Sequence, residues 1–319
     1  MRGLAERIDA LIGRPLGDEE PLGLAVSGGP DSLALLVLAQ QAFGLRVCAM
    51  TVDHGLRPES ADEAAGVASI CAGLGVAHTT LRWEGAKPGV NLQAAAREAR
   101  YRLMADRCGG EGIAWLATAH HADDQAETLL LRLGRGAGLA GLAGVRASRS
   151  LDVGVTLLRP LLDCRKSELV AVVAESGVRA IDDPSNHDER YDRTAIRRHL
   201  AANAWLSVPR LAASAAHLAE AEAALAWAAD RAWAGRTVVT PDRFEVDAGG
   251  LPRELQRRLV ILALHGLGSS AELRGPEVDR LLDRLRGGKG ASLAGVRAAG
   301  GVVWRFSRAA PRLTGAPAT

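Results

Sequence analysis

The chain contains 319 residues, of which 48% are hydrophobic and 24% charged, and its formal net charge at pH 7 is +2. At about 150 residues per domain, this length predicts two domains, and the composition excludes a chain that is disordered throughout. No apolar run reaches about 18 residues without a charge or a turn former, which argues against a membrane span. The N-terminal segment has no long apolar stretch of the secretory type, so we expect a cytoplasmic protein.

Four cysteines occur in the chain, and none lies within three residues of another: Cys48, Cys71, Cys108 and Cys164. Their spacing contains no Cys-x-x-Cys motif for metal or redox chemistry, so we expect reduced structural thiols. Only three of the 39 basic residues are lysines. Arginine suits phosphate contacts, but a GC-rich genome also enriches it, so the composition leaves both explanations open.

The first two hundred residues alternate short apolar runs with helical patterns. The apolar runs predict strands at 22–26, 46–52, 76–81 and 113–118, and an edge strand at 155–162. The helical patterns lie at 32–41, 62–74, 92–107 and 124–133. Strands separated by helices of this length predict a doubly wound parallel sheet, an α/β fold. Binding sites in such sheets lie at the carboxyl ends of the strands.

The remaining residues predict a loop, a linker and a second fold class. The glycine-rich segment 134–144 is expected to be a mobile loop, and 209–234 a long helix. Beyond it lie a strand at 243–246, helices at 252–267 and 276–285, and strands near Leu293 and Val303. We therefore predict an α/β domain over 1–205, a linker helix over 206–240 and a small α+β domain over 241–319, with a frayed tail.

A glycine-rich motif follows the first predicted strand and begins the first of these helices. It reads Ser27-Gly28-Gly29-Pro30-Asp31-Ser32. Glycines let the backbone approach a ligand closely, and the N–H groups at a helix start favour an anion. The two serines add hydroxyl donors. A carboxylate would repel bare phosphate, so Asp31 is expected to hold Mg²⁺ against the phosphate oxygens.

Competing explanations of this motif are weaker. It does not have the G-x-x-x-x-G-K-[ST] pattern of a Walker loop or the G-x-G-x-x-G pattern of a dinucleotide fold. A nucleophile elbow needs glycine two residues before the serine, where this chain has Ala25. An ordinary strand-to-helix turn capped by Asp31 or Ser32 remains the alternative.

The motif resembles the phosphate loop of the pyrophosphate-loop (PP-loop) ATPases, which split ATP between the α- and β-phosphates and adenylate a carbonyl oxygen. Further motifs follow in order: DHGLR at 53–57, AREARY at 96–101, TAHHADDQAET at 118–128, GRGAG at 134–138, RPLL at 159–162 and DPSN at 183–186. This set resembles the tRNA(Ile)-lysidine synthetases. The resemblance is strong over about residues 20–200 and weak through 291–296.

The resemblance implies a two-step ligation. ATP activates C2 of the wobble cytidine in a tRNA(Ile) with a CAU anticodon, which leaves an adenylated cytidine and pyrophosphate. The amine of free lysine then displaces AMP to give lysidine, and the tRNA reads AUA instead of AUG. On this basis the first domain binds ATP with Mg²⁺ and the C-terminal domain binds tRNA. A homodimer is possible.

The resemblance also assigns roles to residues. The expected ATP-binding residues are Ser27, Gly28, Gly29, Pro30, Asp31, Ser32, Asp53 and His54, and the expected catalytic residues are Asp31, Asp124 and Glu127. Asp124 and Glu127 lie three residues apart at the start of a helix, so both lie on the same side of it. Two carboxylates there could bind the ammonium of lysine or help to remove a proton from the attacking amine. Alternatively, they are acids that complement the helix dipole.

Basic residues make up the remaining candidates. The expected lysine- or tRNA-binding residues are Arg97, Arg100, His120, Arg132, Arg135, Arg193 and Arg197. Arginine's forked donors fit phosphate or carboxylate, although a solvated helix face is the alternative for each cluster. Thr194 departs from the family pattern, which has asparagine after the arginine at 193.

Two further alternatives concern a metal site and the class of protein. His120 and His121 beside Asp123 and Asp124 suggest a zinc site, but no second cluster supplies the three or four ligands that zinc normally needs. The second alternative is that the chain is a different PP-loop tRNA-modifying enzyme, or a non-catalytic nucleotide- or RNA-binding protein. A thiolase is disfavoured because it would need catalytic cysteines or an iron–sulfur set.

Overall fold

The computed structural model describes residues 3–181, 192–268 and 273–309, without the side chains of residues 192 and 193. The chain divides into two compact units, Met1–Ala219 and Glu220–Thr319. This division falls inside the helix that the sequence predicts as a linker, so the linker belongs to both units. In the part of the chain that is described, no helix is both long and apolar enough to cross a membrane.

The first unit is an α/β layer structure. Its strands are β1 (Leu22–Ala25), β2 (Val47–Asp53), β3 (Ala77–Arg82), β4 (Trp115–Ala117), β5 (Ser148–Asp152) and β6 (Val155–Leu158). Its helices are α1 (Leu4–Ile12), α2 (Pro30–Phe43), α3 (Ser60–Gly73), α4 (Leu92–Gly110), α5 (Ala122–Gly134), α6 (Leu139–Leu142), α7 (Lys166–Ser176) and α8 (Asp192–Ala202); α9 (Val208–Arg236) continues into the second unit.

The strand order places a binding crevice beside the glycine-rich motif. The sheet runs β3-β2-β1-β4-β6-β5, and all neighbouring pairs are parallel except β5 with β6. The chain moves outward from β1 to β3 and then returns to the other side of β1 with β4. Sites in doubly wound sheets lie at this reversal, beyond the carboxyl ends of the strands. The predicted doubly wound sheet is confirmed.

The core explains why the motif is held firmly. Helix α2 is buried on most of its surface, and Leu33, Leu35 and Leu36 are fully buried. A helix that is apolar on all sides needs cover on more than one side. The sheet lies on one side of α2, and α1 and α7 pack against it as well. The first turn of α2 therefore has a fixed position relative to β1.

Several elements differ from the expectations. The sequence did not predict α1, α7, α8 or β5. The strand at 155–162 is not an edge strand, because β5 pairs outside β6 through the turn at Gly154, which has φ +78°. The glycine-rich segment 134–144 contains the short helix α6. There, Arg132 Nη1 donates hydrogen bonds to the carbonyl oxygens of Gly141 at 2.6 Å and Gly144 at 3.0 Å.

The second unit is the predicted small α+β fold. Its elements are β7 (Thr237–Val239), β8 (Arg243–Val246), α10 (Arg253–Gly266), α11 (Gly275–Arg286), β9 (Ala291–Leu293), β10 (Val296–Ala299) and β11 (Trp304–Arg308). The strands form an antiparallel sheet in the order β7-β8-β11-β10-β9. Phe244, Trp304 and Phe306 pack with buried residues of α10 and α11 on one face of this sheet. The opposite face carries the alternate, more exposed residues.

Candidate active site

A cavity of about 490 Å³ lies at the carboxyl ends of β1, β2 and β4. Its lining combines motifs that are far apart in the sequence: Ser27, Asp31, Ser32, His54, Arg97, Arg100, Thr118, His120, Asp124 and Thr128 are among the lining residues. The β1–α2 loop and the first turn of α2 supply the first three, and His54 follows β2. Helix α4 supplies the two arginines, and the β4–α5 connection with α5 supplies the last four. The strand reversal therefore gathers eight of the 17 predicted site residues around one space.

The β1–α2 loop has the geometry of an anion site. Gly28 adopts φ +87°, and Gly29 is the N-cap of α2 in extended conformation with Pro30 after it. The Ser32 hydroxyl donates to the Gly29 carbonyl at 2.9 Å and accepts the Ser27 N–H at 3.1 Å. Ser32 thus shapes the loop. Among the described residues no side chain caps α2, so within these ranges the capped-turn alternative gains no support and the first N–H groups of the helix can bind an anion.

Gly28 and Gly29 provide a matched pair of substitutions. A Cβ on Gly28 would lie 2.9 Å from Ile181 Cδ1 in a left-handed conformation, whereas a Cβ on Gly29 would meet nothing closer than Ser27 Oγ at 3.8 Å. Strain of about 1 to 3 kcal/mol is typical of such a position. We expect Gly28→Ala to weaken ATP binding by about tenfold or more, and Gly29→Ala to change it little. Calorimetric titration with ATP measures both; equal losses would contradict the prediction.

His121 is the centre of an acidic cluster. Its side chain is 3% exposed, and its Nε2 lies 3.4 Å from Asp31 Oδ2 and 3.7 Å from Asp124 Oδ2. Its Nδ1 lies 3.8 Å from Asp123 Oδ2. Burial by itself lowers the pKa of His121, but the three carboxylates outweigh it and raise this pKa above its usual value. The raised pKa favours the imidazolium form, whose acidic neighbours lie on the first turn of α2 and at the start of α5.

Asp31 has an oxygen available for a cation. Its Oδ1 is buried without a hydrogen-bond partner among the described residues, while its Oδ2 faces His121 and lies 3.8 Å from Lys166 Nζ. Burial favours the protonated form, but His121, Lys166 and Arg197 lower the pKa of Asp31 below its ordinary value. No group of three or more metal-ligating side chains occurs in the described ranges. The donor set fits a magnesium ion held by one carboxylate and by substrate phosphates.

Asp124 and Glu127 have different environments on α5. Asp124 lines the cavity, and its Oδ2 accepts the backbone N–H of His121 at 3.1 Å as part of the helix cap. Glu127 is buried, and its Oε1 accepts a hydrogen bond from Arg197 Nε of α8 at 2.6 Å. The carboxylate of Glu127 raises the pKa of Arg197. Asp124 is thus accessible to a ligand, whereas Glu127 is neutralised by an arginine.

The end of β2 contributes His54 to the cavity, while Asp53 shapes the loop that follows. Asp53 Oδ1 accepts hydrogen bonds from Ser60 Oγ at 2.8 Å and Gly55 N at 2.9 Å. The ring of His54 packs edge-on against Trp83 with the centroids 5.9 Å apart. Both ring nitrogens are buried without a partner in the described part of the chain. Burial, helped by Arg100 and Lys87, lowers the pKa of His54 to about 4, although Asp53 opposes it.

The low pKa of His54 predicts an acid-sensitive contribution to stability. Because the unfolded chain binds this proton near pH 6.5 and the folded protein only near pH 4, the contribution is present above pH 6.5 and is lost as the pH falls toward 4. We expect the free energy of unfolding to drop by about 2 kcal/mol more in the wild type than in His54→Gln between about pH 7.5 and 4.5. Urea unfolding of both proteins tests this; parallel pH profiles would contradict it.

Three of the predicted basic residues, Arg97, Arg100 and His120, line the cavity. Arg97 and Arg100 line the cavity, and Arg97 also lies 5.1 Å from the Tyr101 ring centroid. Burial lowers the pKa of Arg100. His120 lines the cavity with its Nδ1 3.0 Å from Thr118 Oγ1.

The other basic residues have different positions. Arg132 braces the segment around α6 and Arg197 pairs with Glu127. Arg135 is the residue after α5 and does not appear in the cavity lining. The side chain of Arg193, like the motif at 183–186, lies outside the described residues.

Three residues that organise this site are absent from the predicted site residues: His121, Lys166 and Asp123. The sequence predicts His121 as a helix cap or as a contact to substrate or adenylate, with a zinc ligand as the weaker alternative, and it predicts Asp123 only as a neighbour in that zinc alternative. Asp123 Oδ2 accepts the Lys166 N–H at 2.9 Å and the Arg165 Nε–H at 3.3 Å, so it joins α5 to α7. The interval from His121 to Asp124 is that of a capping box, but the usual serine or threonine and glutamate or glutamine are absent, so the sequence signal for this cap is weak. Lys166 had no local signal, because a fold contact brings it to Asp31.

Comparison with known proteins assigns the first unit to a protein class. The solved structure of the U34-tRNA thiolase NcsA from Methanococcus maripaludis, with its 4Fe–4S cluster, has a similar fold. Its TM-score is 0.56 at 18% identity, and the match covers 68% of this chain and 77% of that chain. Residues 3–204 match the family described as the PP-loop domain. The protein is therefore a PP-loop protein.

Curated relatives identify the branch within this class. A tRNA(Ile)-lysidine synthase from Novosphingobium aromaticivorans is 50% identical over 289 residues, which cover 90% of this chain and 88% of that protein. Another from Zymomonas mobilis is 42% identical over 319 residues, which cover 98% and 95%. The chain belongs to the tRNA(Ile)-lysidine synthase family.

Proposed function

We propose that this enzyme ligates lysine to C2 of the wobble cytidine in tRNA(Ile) with a CAU anticodon, at the expense of ATP, in the cytoplasm. Membership of the family provides the reaction class, an ATP-dependent ligase that modifies tRNA. One observation carries the assignment to this site. An anion-binding loop and the cavity-lining carboxylate of Asp124 face the same 490 Å³ space at the strand reversal.

The adenylation step uses the β1–α2 loop. The N–H groups at the start of α2 and the hydroxyl of Ser27 bind the phosphates that leave as pyrophosphate. Asp31, through its unpartnered Oδ1, would hold Mg²⁺ together with the phosphate oxygens. The ion would neutralise charge that develops on the phosphates. His54 lines the same cavity as a neutral ring, which suits contact with the nucleoside of ATP.

The transfer step uses the acids of α5. The amine of lysine has an ordinary pKa near 10.4, so it reaches the site as an ammonium and must lose a proton before it attacks. Of the two predicted acids on α5, Asp124 is the one that lines the cavity, and we assign it to hold this amine and accept the proton. Glu127 positions Arg197, whose charge also acts on Asp124 and Asp31. Arg97 and Arg100 on α4 bind anionic groups of lysine or tRNA.

Thiolation of tRNA is the second candidate, because a thiolase shares the fold. The described cysteines do not favour it. Cys71, Cys108 and Cys164 are buried, and burial raises their pKa values to about 11, about 12 and about 11. A thiol of such high pKa is a poor nucleophile at neutral pH. Lysine ligation is therefore favoured over sulfur transfer.

Transfer of radiolabelled lysine to unmodified tRNA(Ile) with a CAU anticodon tests the proposal. We expect label that depends on ATP and is absent from matched tRNA(Met). No label on either tRNA, with a folded protein that binds ATP, would retain the PP-loop fold and reject lysine transfer. The homodimer expected from the family resemblance is a separate proposal, which light scattering of the purified protein tests.

A further inference from the structure

The segment that follows α6 forms one wall of the active-site cavity. Val145 belongs to this segment, is partly buried and lines the cavity together with Asp124 and Thr128 of α5. Asp124 and Thr128 are four residues apart in the helix, so their side chains lie on the same side of it. An apolar side chain therefore shares this space with the carboxylate to which we assign the lysine amine.

Gln125, the residue after Asp124, holds the backbone of this wall. Its side chain is buried, and its amide bonds both main-chain groups of Val145. Gln125 Nε2 donates to the Val145 carbonyl oxygen at 2.9 Å, and Gln125 Oε1 accepts the Val145 N–H at 2.6 Å. A carboxylate supplies no donor and an ammonium supplies no acceptor, so an amide is the group that suits this pair of bonds. The position of Val145 is thus tied to the start of α5.

Close packing at Gly144 limits the freedom of the wall further. A Cβ on Gly144 would overlap Gln125 Oε1 and would lie 3.2 Å from the Cβ of Ala215 on α9. The carbonyl oxygen of Gly144 accepts a hydrogen bond from Arg132 Nη1 at 3.0 Å. Helix α5 therefore holds the wall at two points, Gln125 and Arg132, and the same helix carries Asp124.

We infer that Val145 determines specificity for the amino-acid substrate and that Gln125 is the positioning residue that holds it. The inference rests on the proposed function, in which Asp124 receives the amine of the lysine side chain. With the amine at Asp124, the adjacent methylenes are stabilised by an apolar surface, which Val145 provides in the same cavity. Ornithine has one methylene fewer than lysine, and one methylene in an apolar pocket changes kcat/KM by about 10- to 200-fold. A wall at a fixed position thus selects lysine by the length of its side chain.

Val145→Ala and Val52→Ala make the same chemical change at two places in the cavity. Both valines line the cavity, but Val52 belongs to β2 and not to the segment that α5 holds. The measurements are kcat/KM for radiolabelled lysine and ornithine with unmodified CAU tRNA(Ile), and release of pyrophosphate. We expect Val145→Ala to lower the lysine-to-ornithine ratio by about fivefold, because lysine loses more apolar contact than ornithine, and to leave pyrophosphate release unchanged. Val52→Ala is expected to keep the ratio within about twofold of wild type.

Gln125→Ala tests the positioning role. If Gln125 acts through Val145, this variant lowers the ratio by a similar factor and lowers it no further in combination with Val145→Ala. Hydrogen exchange of the Val145 amide is expected to become faster by about tenfold or more, because its acceptor is lost. The Thr118 amide, which donates to the Leu158 carbonyl oxygen at 3.0 Å, serves as the control and is expected to keep its rate.

The outcomes separate this inference from the proposed function. An unchanged ratio in Val145→Ala, or equal falls in both valine variants, would overturn the specificity role while lysine transfer by wild type upheld the proposed function. Further loss of the ratio in the double variant would overturn the positioning role of Gln125. Val145→Ala removes only two methyl groups from a partly buried side chain, so it decides the inference even if Gln125→Ala does not fold. Absence of lysine transfer by wild type would reject the proposed function and the inference together.

Discussion

Replacement of Asp124 by asparagine is expected to abolish lysine transfer and to leave the fold intact. Asp124 lines the cavity, and in the proposed reaction it supplies the negative charge for the incoming ammonium. Asparagine cannot accept a proton, and loss of a general base typically reduces a rate by about a hundredfold to ten-thousandfold. The fold survives because the amide oxygen of asparagine still accepts the His121 N–H that Asp124 Oδ2 accepts at 3.1 Å. Radiolabelled lysine transfer and thermal unfolding measure the two effects.

The same variant separates the two chemical steps. If Asp124 acts only on the lysine amine, release of pyrophosphate in the presence of ATP and tRNA continues in Asp124→Asn while transfer stops. Asp123→Asn is the matched control, since Asp123 joins α5 to Lys166 and Arg165 and the amide oxygen keeps an acceptor for the Lys166 N–H. We expect this control to transfer lysine at about a third of the wild-type rate or better. Near-normal transfer by Asp124→Asn would remove Asp124 from the mechanism.

The parts of the fold that sequence could predict are those with a local signal. The apolar run at β1 and the glycine-rich motif are contiguous. A few residues therefore suffice to predict a strand followed by an anion-binding turn. Strand β5 has no such signal, because four of its five residues are exposed and no apolar alternation marks it. Strand β5 forms because it pairs with β6, and the sequence of β5 alone carries no alternation of apolar and polar residues that would predict this pairing.

The candidate site shows the same limit. The motif around α5 indicated Asp124, which the structure places at the cavity. The arginine opposite Glu127 and the lysine beside Asp31 lie 70 and about 135 residues away along the chain, so only the fold brings them there. Helix α7 carries Lys166 at its first residue and packs against α2, and this packing places the ammonium near the β1–α2 loop. Charged partners that are distant in the chain follow no periodic sequence pattern, so the sequence alone does not predict which residues will pair.

Replacement of Asp31 by asparagine is expected to stop both steps, in contrast to Asp124→Asn. Asp31 Oδ2 faces His121 Nε2 at 3.4 Å and Lys166 Nζ at 3.8 Å, and its Oδ1 is the buried oxygen without a partner among the described residues. Loss of the carboxylate removes one of the three acids beside His121 and the acid beside Lys166, and it removes the protein ligand proposed for Mg²⁺. We expect release of pyrophosphate and transfer of lysine to fall together, by about a thousandfold.

Asp31 has two candidate roles, to hold Mg²⁺ or to hold His121. An excess of Mg²⁺ and the variant His121→Gln distinguish them. If Asp31 holds the ion, a large excess of Mg²⁺ partly restores pyrophosphate release in Asp31→Asn, because mass action refills a weakened site. If Asp31 serves mainly to hold His121, the excess has no effect, and His121→Gln loses as much activity as Asp31→Asn. The structure favours the first role, because His121 faces only one of the two Asp31 oxygens and retains Asp123 and Asp124 as neighbours. Lysine transfer that persists in Asp31→Asn while pyrophosphate release is lost would contradict a reaction that begins with adenylation.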